Sequence, residues 1–338
     1  MTSKPASAAA SAAAATATSD PSSVSFLTQL NLSLDKSKIV VLDVDETLGY
    51  FVELGIFCDA LTAVAWNNNP NASYAHFNLL MDAFPEFLRP NILDLLRFLK
   101  MKKNTKECAG VLVYTNNCGP RIWVEHITKY IESKLGAPLF DQIVAAFKVN
   151  GKIIEVGRTT HDKTYEDLLR CTKLPANVEV CFLDDQMHSQ MEHAQVYYIN
   201  VKPYVHQLSV QTLTDRFLKS PELRSTIAAP YNAAPYIAVP YNAVPYNAAP
   251  YNNFRERIAQ FMQRFSMAYT PKNPLEQDVD AIISKKIMEH LKAFFNEAPS
   301  QTHLGLAHPR FAMDRSLKIK RNHPMFKTLK NKKKTNNI

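Results

Sequence analysis

Three short apolar runs organise the first two thirds of the chain, and each ends in polar residues. Ile39-Val40-Val41-Leu42 runs into Asp43, Val111-Leu112-Val113-Tyr114 into Thr115, and Val178-Glu179-Val180-Cys181-Phe182-Leu183 into Asp184-Asp185. Runs of this length, rich in β-branched residues, predict buried strands of a parallel sheet. Helical patterns lie between them, at Arg89 to Lys100, Arg121 to Lys134 and Lys163 to Arg170. Strands alternating with helices predict an α/β fold with a mostly parallel central sheet. Later in the chain, Phe254, Ile258, Phe261 and Phe265, then Ile283, Ile287 and Leu291, fall at helical spacing. Pro271 and Pro274 divide that stretch into two helices, expected as an appended segment over 254–297.

The remaining segments carry no such pattern. Residues 1–25 are a low-complexity Ala/Ser/Thr arm, expected to be disordered. Residues 225–253 hold a tandem repeat, PYNAA, PYIAV, PYNAV, PYNAA, PYNN. A five-residue period is too short for a solenoid unit, and proline in every unit blocks helix and ladder. The expectation is an extended linker, with docking to a partner as the alternative. The body of the fold is then placed at 36–222.

Composition adds limits. The chain has 338 residues, 46% of them hydrophobic, ordinary for a globular protein. Its five cysteines show no CxxC spacing, which argues against a disulfide framework or zinc site and fits a reducing, intracellular compartment. No apolar run approaches the roughly 18 residues that cross a bilayer, and no membrane partner is expected. The N-terminal arm lacks the apolar stretch of a secretory signal and the arginine of a transit peptide. The formal net charge is +8, but nine Lys or Arg and no acid lie between Arg315 and Ile338. The basic character therefore belongs to a tail, 315–338, and the body is near neutral. Such a tail suits nucleic acid, an acidic partner, nuclear import or plain solubility, and composition does not choose among them.

The chemistry lies at the strand ends. In open α/β sheets ligands bind beyond the carboxyl ends of the strands, so Asp43, Thr115 and Asp184-Asp185 should converge on one edge. Asp43 and Asp45 are two apart, which sends both carboxylates to one side with Val44 opposite. Four acids in one place repel unless a cation neutralises them, and hard oxygen ligands point to magnesium. With the ion and a lysine neutralising a phosphate, Asp43 could attack phosphorus. Asp45 would then protonate the leaving oxygen and later deprotonate the hydrolytic water. Thr115 would hold phosphate oxygens and Lys163 would stabilise developing charge. Each assignment has a plainer alternative: an Asp-rich turn, a turn at Thr115-Asn116-Asn117, a surface lysine at 163. Thr47 is expected to brace the loop, Cys118 to be a packed thiol, Trp66 and Trp123 to be packing residues, and His161 and His188 to be incidental to the site.

Asp43-Val44-Asp45-Glu46-Thr47-Leu48, Thr115, Lys163 and Asp184-Asp185, in that order, resemble the four motifs of the haloacid dehalogenase superfamily. VLDVDETLGY and FPEFLRPNILDLLRFLK, with Arg89-Pro90, are similar to the FCP/SCP-type C-terminal-domain phosphatases within it. The resemblance covers about residues 36–220. It implies a HAD-like Rossmannoid three-layer sandwich with a small insertion after the first strand. It also implies a magnesium-dependent phosphoserine/phosphothreonine protein phosphatase, with a phosphoprotein such as an RNA polymerase C-terminal repeat as substrate. By position it makes Asp43 the nucleophile and Asp45 the acid/base. Asp43, the backbone carbonyl of Asp45, and Asp185 would bind metal directly, and Asp184 from the second layer. The spacing from Lys163 to Asp184 is longer than the family's, leaving Lys173 as a rival, and Leu54–Phe84 departs from the family where substrate-facing insertions occur. The repeat and low-complexity arms fit a divergent member, of the kind large DNA viruses carry. The alternatives are a polynucleotide or small-molecule phosphatase of the same fold, and a non-catalytic scaffold that docks partners through the repeat and tail.

Overall fold

The computed structural model describes residues 37–227, 251–265 and 269–296. The N-terminal arm, nearly all of the repeat, and the basic tail lie outside the described residues. The three apolar runs form adjacent parallel strands: β1 (Lys38–Leu42), β2 (Gly110–Tyr114) and β6 (Glu179–Asp184). Two strands not marked by the pattern complete the five-stranded sheet, β3 (Gln142–Val144) and β7 (Val196–Asn200), in the order β3-β2-β1-β6-β7. All neighbours are parallel, and β1, in the centre, pairs Leu42 with Val113 on one side and Leu183 on the other. A separate antiparallel hairpin joins β4 (Lys148–Val149) to β5 (Lys152–Ile153). Its turn residues Asn150 and Gly151 both have positive φ, 49° and 81°, as a tight hairpin turn requires.

Side chains of β1 alternate between two cores. Val40 and Leu42 face one, Ile39 and Val41 the other. The second core is closed by the helix Tyr165–Thr172, through Tyr165 and Leu168, and by Met191. The first is much larger and takes residues from the helices Ile92–Asn104, Arg121–Leu135 and Val210–Lys219. Helices on both faces of a parallel sheet make a three-layer, Rossmann-like arrangement. The segment after β1 folds as the helices Val52–Val64, Ala72–Ala75 and Phe77–Ala83. Leu54, Phe57, Leu61, Phe77 and Leu80 from it are buried in the large core, so this insertion is structural on its apolar side.

The expected pair of C-terminal helices is present, as Asn252–Gln263 and Pro274–Asn296, with the break where the prolines place it. They are not an appendage. Phe254, Ile258, Ile287 and Leu291 are at most 1% exposed and belong to the same core as Val40 and Leu42. Phe254 stacks on Phe217 at 5.6 Å, and Lys38 at the start of β1 donates to the Phe294 carbonyl at 2.6 Å. The folded body therefore extends from β1 to residue 296 and not only to 222. Among the described residues no helix is long and apolar enough to cross a membrane.

Candidate active site

The site is built where β1, β2 and β6 end. The Asp43 amide still follows the sheet, donating to Leu183 O at 2.9 Å, and Val44 is buried in the large core. The chain then turns sharply. Glu46 takes a left-handed φ of 57°, and its amide donates to Gly49 O at 2.7 Å. A Cβ at Gly49 would fall 2.3 Å from Phe87 O, so only glycine closes this turn. Thr47 is fully buried, and its hydroxyl accepts from the Asp185 amide at 3.1 Å and donates to Asp185 Oδ1 at 3.4 Å. The bracing role expected of Thr47 is thus what the structure shows. Asp45 is half-buried, and its Oδ2 accepts from Asn117 Nδ2 at 2.7 Å.

Asn117 belongs to the turn after β2. Thr115 is buried, its amide donates to Val144 O at 3.0 Å, and its hydroxyl accepts from the Asn117 amide at 3.0 Å. The hydrogen bond from the Asn117 amide to the Thr115 hydroxyl bends the chain here, and Asn117 reaches Asp45.

Lys163 lies at the centre of the arrangement. It is 2% exposed, and its ammonium is 2.6 Å from Asp43 Oδ1 and 2.6 Å from Asp184 Oδ2. It immediately precedes Thr164, whose hydroxyl caps the helix Tyr165–Thr172 by accepting from the Asp167 amide at 2.9 Å. The rival Lys173 is exposed and ends that same helix in a left-handed conformation, φ 59°. The lysine that reaches the carboxylates is therefore Lys163. Asp184 Oδ1 accepts from the Gln186 amide at 2.8 Å, and His188 Nε2 lies 3.6 Å from Asp184 Oδ2. His188, expected to be incidental, is in fact buried against the cluster. His161 is not part of it; its ring packs on Phe147, with centroids 5.5 Å apart. Cys118 is exposed, not packed. Trp66 is buried in the core and Trp123 packs edge-on against Phe77, as expected.

Arg158 went unmarked in the sequence. Its buried guanidinium donates to the carbonyls of Thr115 (3.2 Å), Ala145 (3.0 Å), His161 (3.0 Å) and Asp162 (3.2 Å). It binds the loop that delivers Lys163 to the ends of β2 and β3. A lone arginine in a loop leaves no pattern, so only the fold reveals it.

Burial sets the protonation of these groups. It pushes Asp43 up, with Asp184 and Asp45 adding to the shift and Lys163 opposing it. Burial also raises Asp45, against the Asn117 hydrogen bond, and lifts Asp185 to about 6 with help from Asp184. Asp184 is likewise desolvated, but Lys163 and His188 outweigh that and hold it below the usual carboxylate range. Lys163 is desolvated too, yet the two aspartates keep it above the ordinary lysine value. Asp43, Asp184 and Asp185 can each offer an oxygen within 4.8 Å of the others. Three carboxylates against one ammonium leave negative charge in excess, and an all-oxygen donor set suits a hard divalent cation. Beside them lies a cavity of about 290 Å³ that shares Thr115 and Asn117 with the site and is walled by Val124, Ile143, Val149 and Ile154.

No family model matches the chain, and neither a curated protein nor a solved structure does.

Proposed function

We propose that the chain is a magnesium-dependent phosphomonoester hydrolase of the FCP/SCP type, within the haloacid dehalogenase superfamily, acting on phosphoserine or phosphothreonine in proteins. The observation that carries the reading is Lys163 held 2.6 Å from both Asp43 and Asp184, with Asp185 alongside, at the ends of three adjacent parallel strands. The order Asp, Thr, Lys, Asp-Asp along the chain is the second support. Magnesium fits the oxygen donors of Asp43, Asp184 and Asp185, joined in the family pattern by the Asp45 carbonyl. When bound, the ion supplies positive charge that favours the ionised form of Asp43 and offsets charge on the phosphoryl oxygens.

In the proposed reaction an Asp43 oxygen attacks phosphorus, and the ester oxygen leaves with the electron pair of the breaking P–O bond. Asp45 gives that oxygen a proton. Its upward shift by burial suits a proton donor, and Asn117 occupies only Oδ2. Water then attacks the aspartyl-phosphate, Asp45 takes a proton back, and Asp43 is restored. Lys163 holds Asp43 in line and offsets phosphoryl charge, and Thr115 anchors phosphate oxygens.

The neighbouring cavity favours a peptide over a polynucleotide. Its walls are mainly apolar, and its one charged lining residue, Arg121, already faces Glu125 at 3.3 Å. Phosphate release from an aryl phosphate and from a phosphopeptide panel, including polymerase-type repeats, tests the reading. Turnover should need magnesium and vanish with EDTA. Asp43→Asn should lower it more than ~100-fold with an unchanged circular dichroism spectrum. Full activity in that variant overturns the proposal. Faster turnover of a 3′-phosphorylated oligonucleotide than of any peptide overturns the substrate class.

A further inference from the structure

Behind the loop that carries Asp43 and Asp45 lies a second group of buried charges with no part in the reaction above. Arg89 is 1% exposed, and it grips the loop from the far side. Its Nε donates to Thr47 O at 2.6 Å, and its Nη2 donates to Glu46 O at 2.6 Å and Lys202 O at 3.0 Å. Tyr204 adds a third hold, its amide donating to Glu46 O at 2.8 Å. Both residues thus fix Glu46, whose left-handed backbone an L-residue adopts at a cost.

The charge of this clamp is balanced from the C-terminal helix. The Arg89 guanidinium is 5.5 Å from the centre of the Tyr204 ring, and the Lys272 ammonium is 4.4 Å from the same centre. Lys272 also donates to Val205 O at 2.7 Å. Two cations on one buried ring would repel and be costly to desolvate. The carboxylate that answers them is Asp280, 2% exposed, on the helix Pro274–Asn296 and ion-paired with Lys272. Among the described residues Arg89 Nη1 has no hydrogen-bond partner, so no hydrogen bond restrains that side of the guanidinium. Burial pulls Arg89 down to about 10, and Asp280 on one hand and Asp185 on the other oppose this. Without Asp280, Lys272 loses its partner and Asp185 becomes the stronger pull on Arg89. The balance of charge about the guanidinium would then change, and its hold on the Glu46 and Thr47 carbonyls would loosen.

We infer that Asp280 is a positioning residue for the Asp43–Asp45 loop, acting through Arg89 and Tyr204 from the C-terminal helix. What the loop does rests on the proposed function; how the loop is held does not.

The test uses the full chain and two readouts. In Asp280→Asn, kcat on an aryl phosphate should fall ~10-fold or more with KM within ~2-fold, the mark of misplaced reacting groups. In the same variant the amides of Glu46 and Tyr204 should exchange hydrogen ~10-fold faster or more. Leu291→Ala, on the same helix, should lower the melting temperature yet leave kcat and those two amides unchanged. Lys272→Met removes the ion pair but keeps the Asp280 charge near Arg89, so it should also retain kcat and slow exchange. Unchanged kcat and exchange in Asp280→Asn overturn the inference. So does a loss in Lys272→Met equal to that in Asp280→Asn. If Asp280→Asn fails to fold, the double variant Asp280→Asn/Lys272→Met, which removes both charges of the pair, takes its place with the same expected losses. Unchanged kcat and exchange in that double variant overturn the inference. If the parent turns over no phosphoester, the proposed function fails, and exchange at Glu46 and Tyr204 still decides the role of Asp280.

Discussion

With one ammonium 2.6 Å from two carboxylates, Lys163 cannot be exchanged for another cation without moving Asp43 or Asp184. Its reach was legible in part. The sequence places it before an acidic helix start, and the Thr164 hydroxyl caps that start in the structure. The role of His188 was not legible, because a histidine four residues beyond Asp184 looks the same whether it faces the carboxylate or solvent. A different buried acid makes a clean test of electrostatics away from the site. Glu53 accepts from the Leu208 amide at 2.7 Å, and burial lifts it from 4.5 to about 7 despite that bond. A raised carboxylate binds its proton more tightly folded than unfolded. Its contribution is therefore most favourable below 4.5, falls as pH rises toward 7, and is flat above. Glu53→Gln keeps an acceptor for Leu208 and removes that fall. The variant should gain on the parent between pH 5 and pH 8, by on the order of 1–3 kcal/mol in urea unfolding. A difference independent of pH would sink this account.

At the scale of elements, what the sequence revealed depended on burial. The strands β1, β2 and β6 are buried nearly throughout and stand out as unbroken apolar runs. The edge strands β3 and β7 are only part-buried and neither was expected: β3 is three residues long and begins on Gln142, and β7 carries two tyrosines and ends on Asn200. The helix Val52–Val64 is apolar on most sides, since seven of its residues are buried, and so lacks a clear polar face. The loop from Arg158 to Lys163 has no pattern at all; it is ordered by hydrogen bonds to carbonyls of distant segments. That gives Arg158 a measurable weight. Arg158→Met should cost ~3 kcal/mol or more, because buried carbonyls lose a charged donor. Arg158→Lys should recover little, since a single ammonium cannot replace a planar fork reaching four carbonyls. Urea midpoints check both, and a midpoint for Arg158→Lys equal to the parent's would refute the second.

For the whole molecule, the expected boundary at 222 followed from the resemblance, which ends near there, and from the repeat, which looks like a linker. Packing tells otherwise. Phe254, Ile258, Ile287 and Leu291 are each nearly fully buried, and such side chains contribute ~2 kcal/mol apiece. Their sum is comparable with the roughly 5–15 kcal/mol that separates a folded domain from its unfolded chain. A chain ending at residue 250 should therefore be insoluble or bind a hydrophobic dye strongly, and a soluble product with a sharp melting transition would contradict this. The central position of β1 has a further consequence, in the timing of folding. Its partner β2 follows it in the chain and β6 comes much later still, and so do the site contacts: Lys163 is 120 residues from Asp43, and Asp185 is 138 from Thr47. Closing loops that long is slow, and parallel pairing offers little reward until it is done. During synthesis β1 can pair with β2 once that strand has emerged, but its other edge stays open until β6 leaves the ribosome. The nascent chain exposes that edge to mispairing from β1 to β6, and the carboxylate cluster comes into being only when β6 docks.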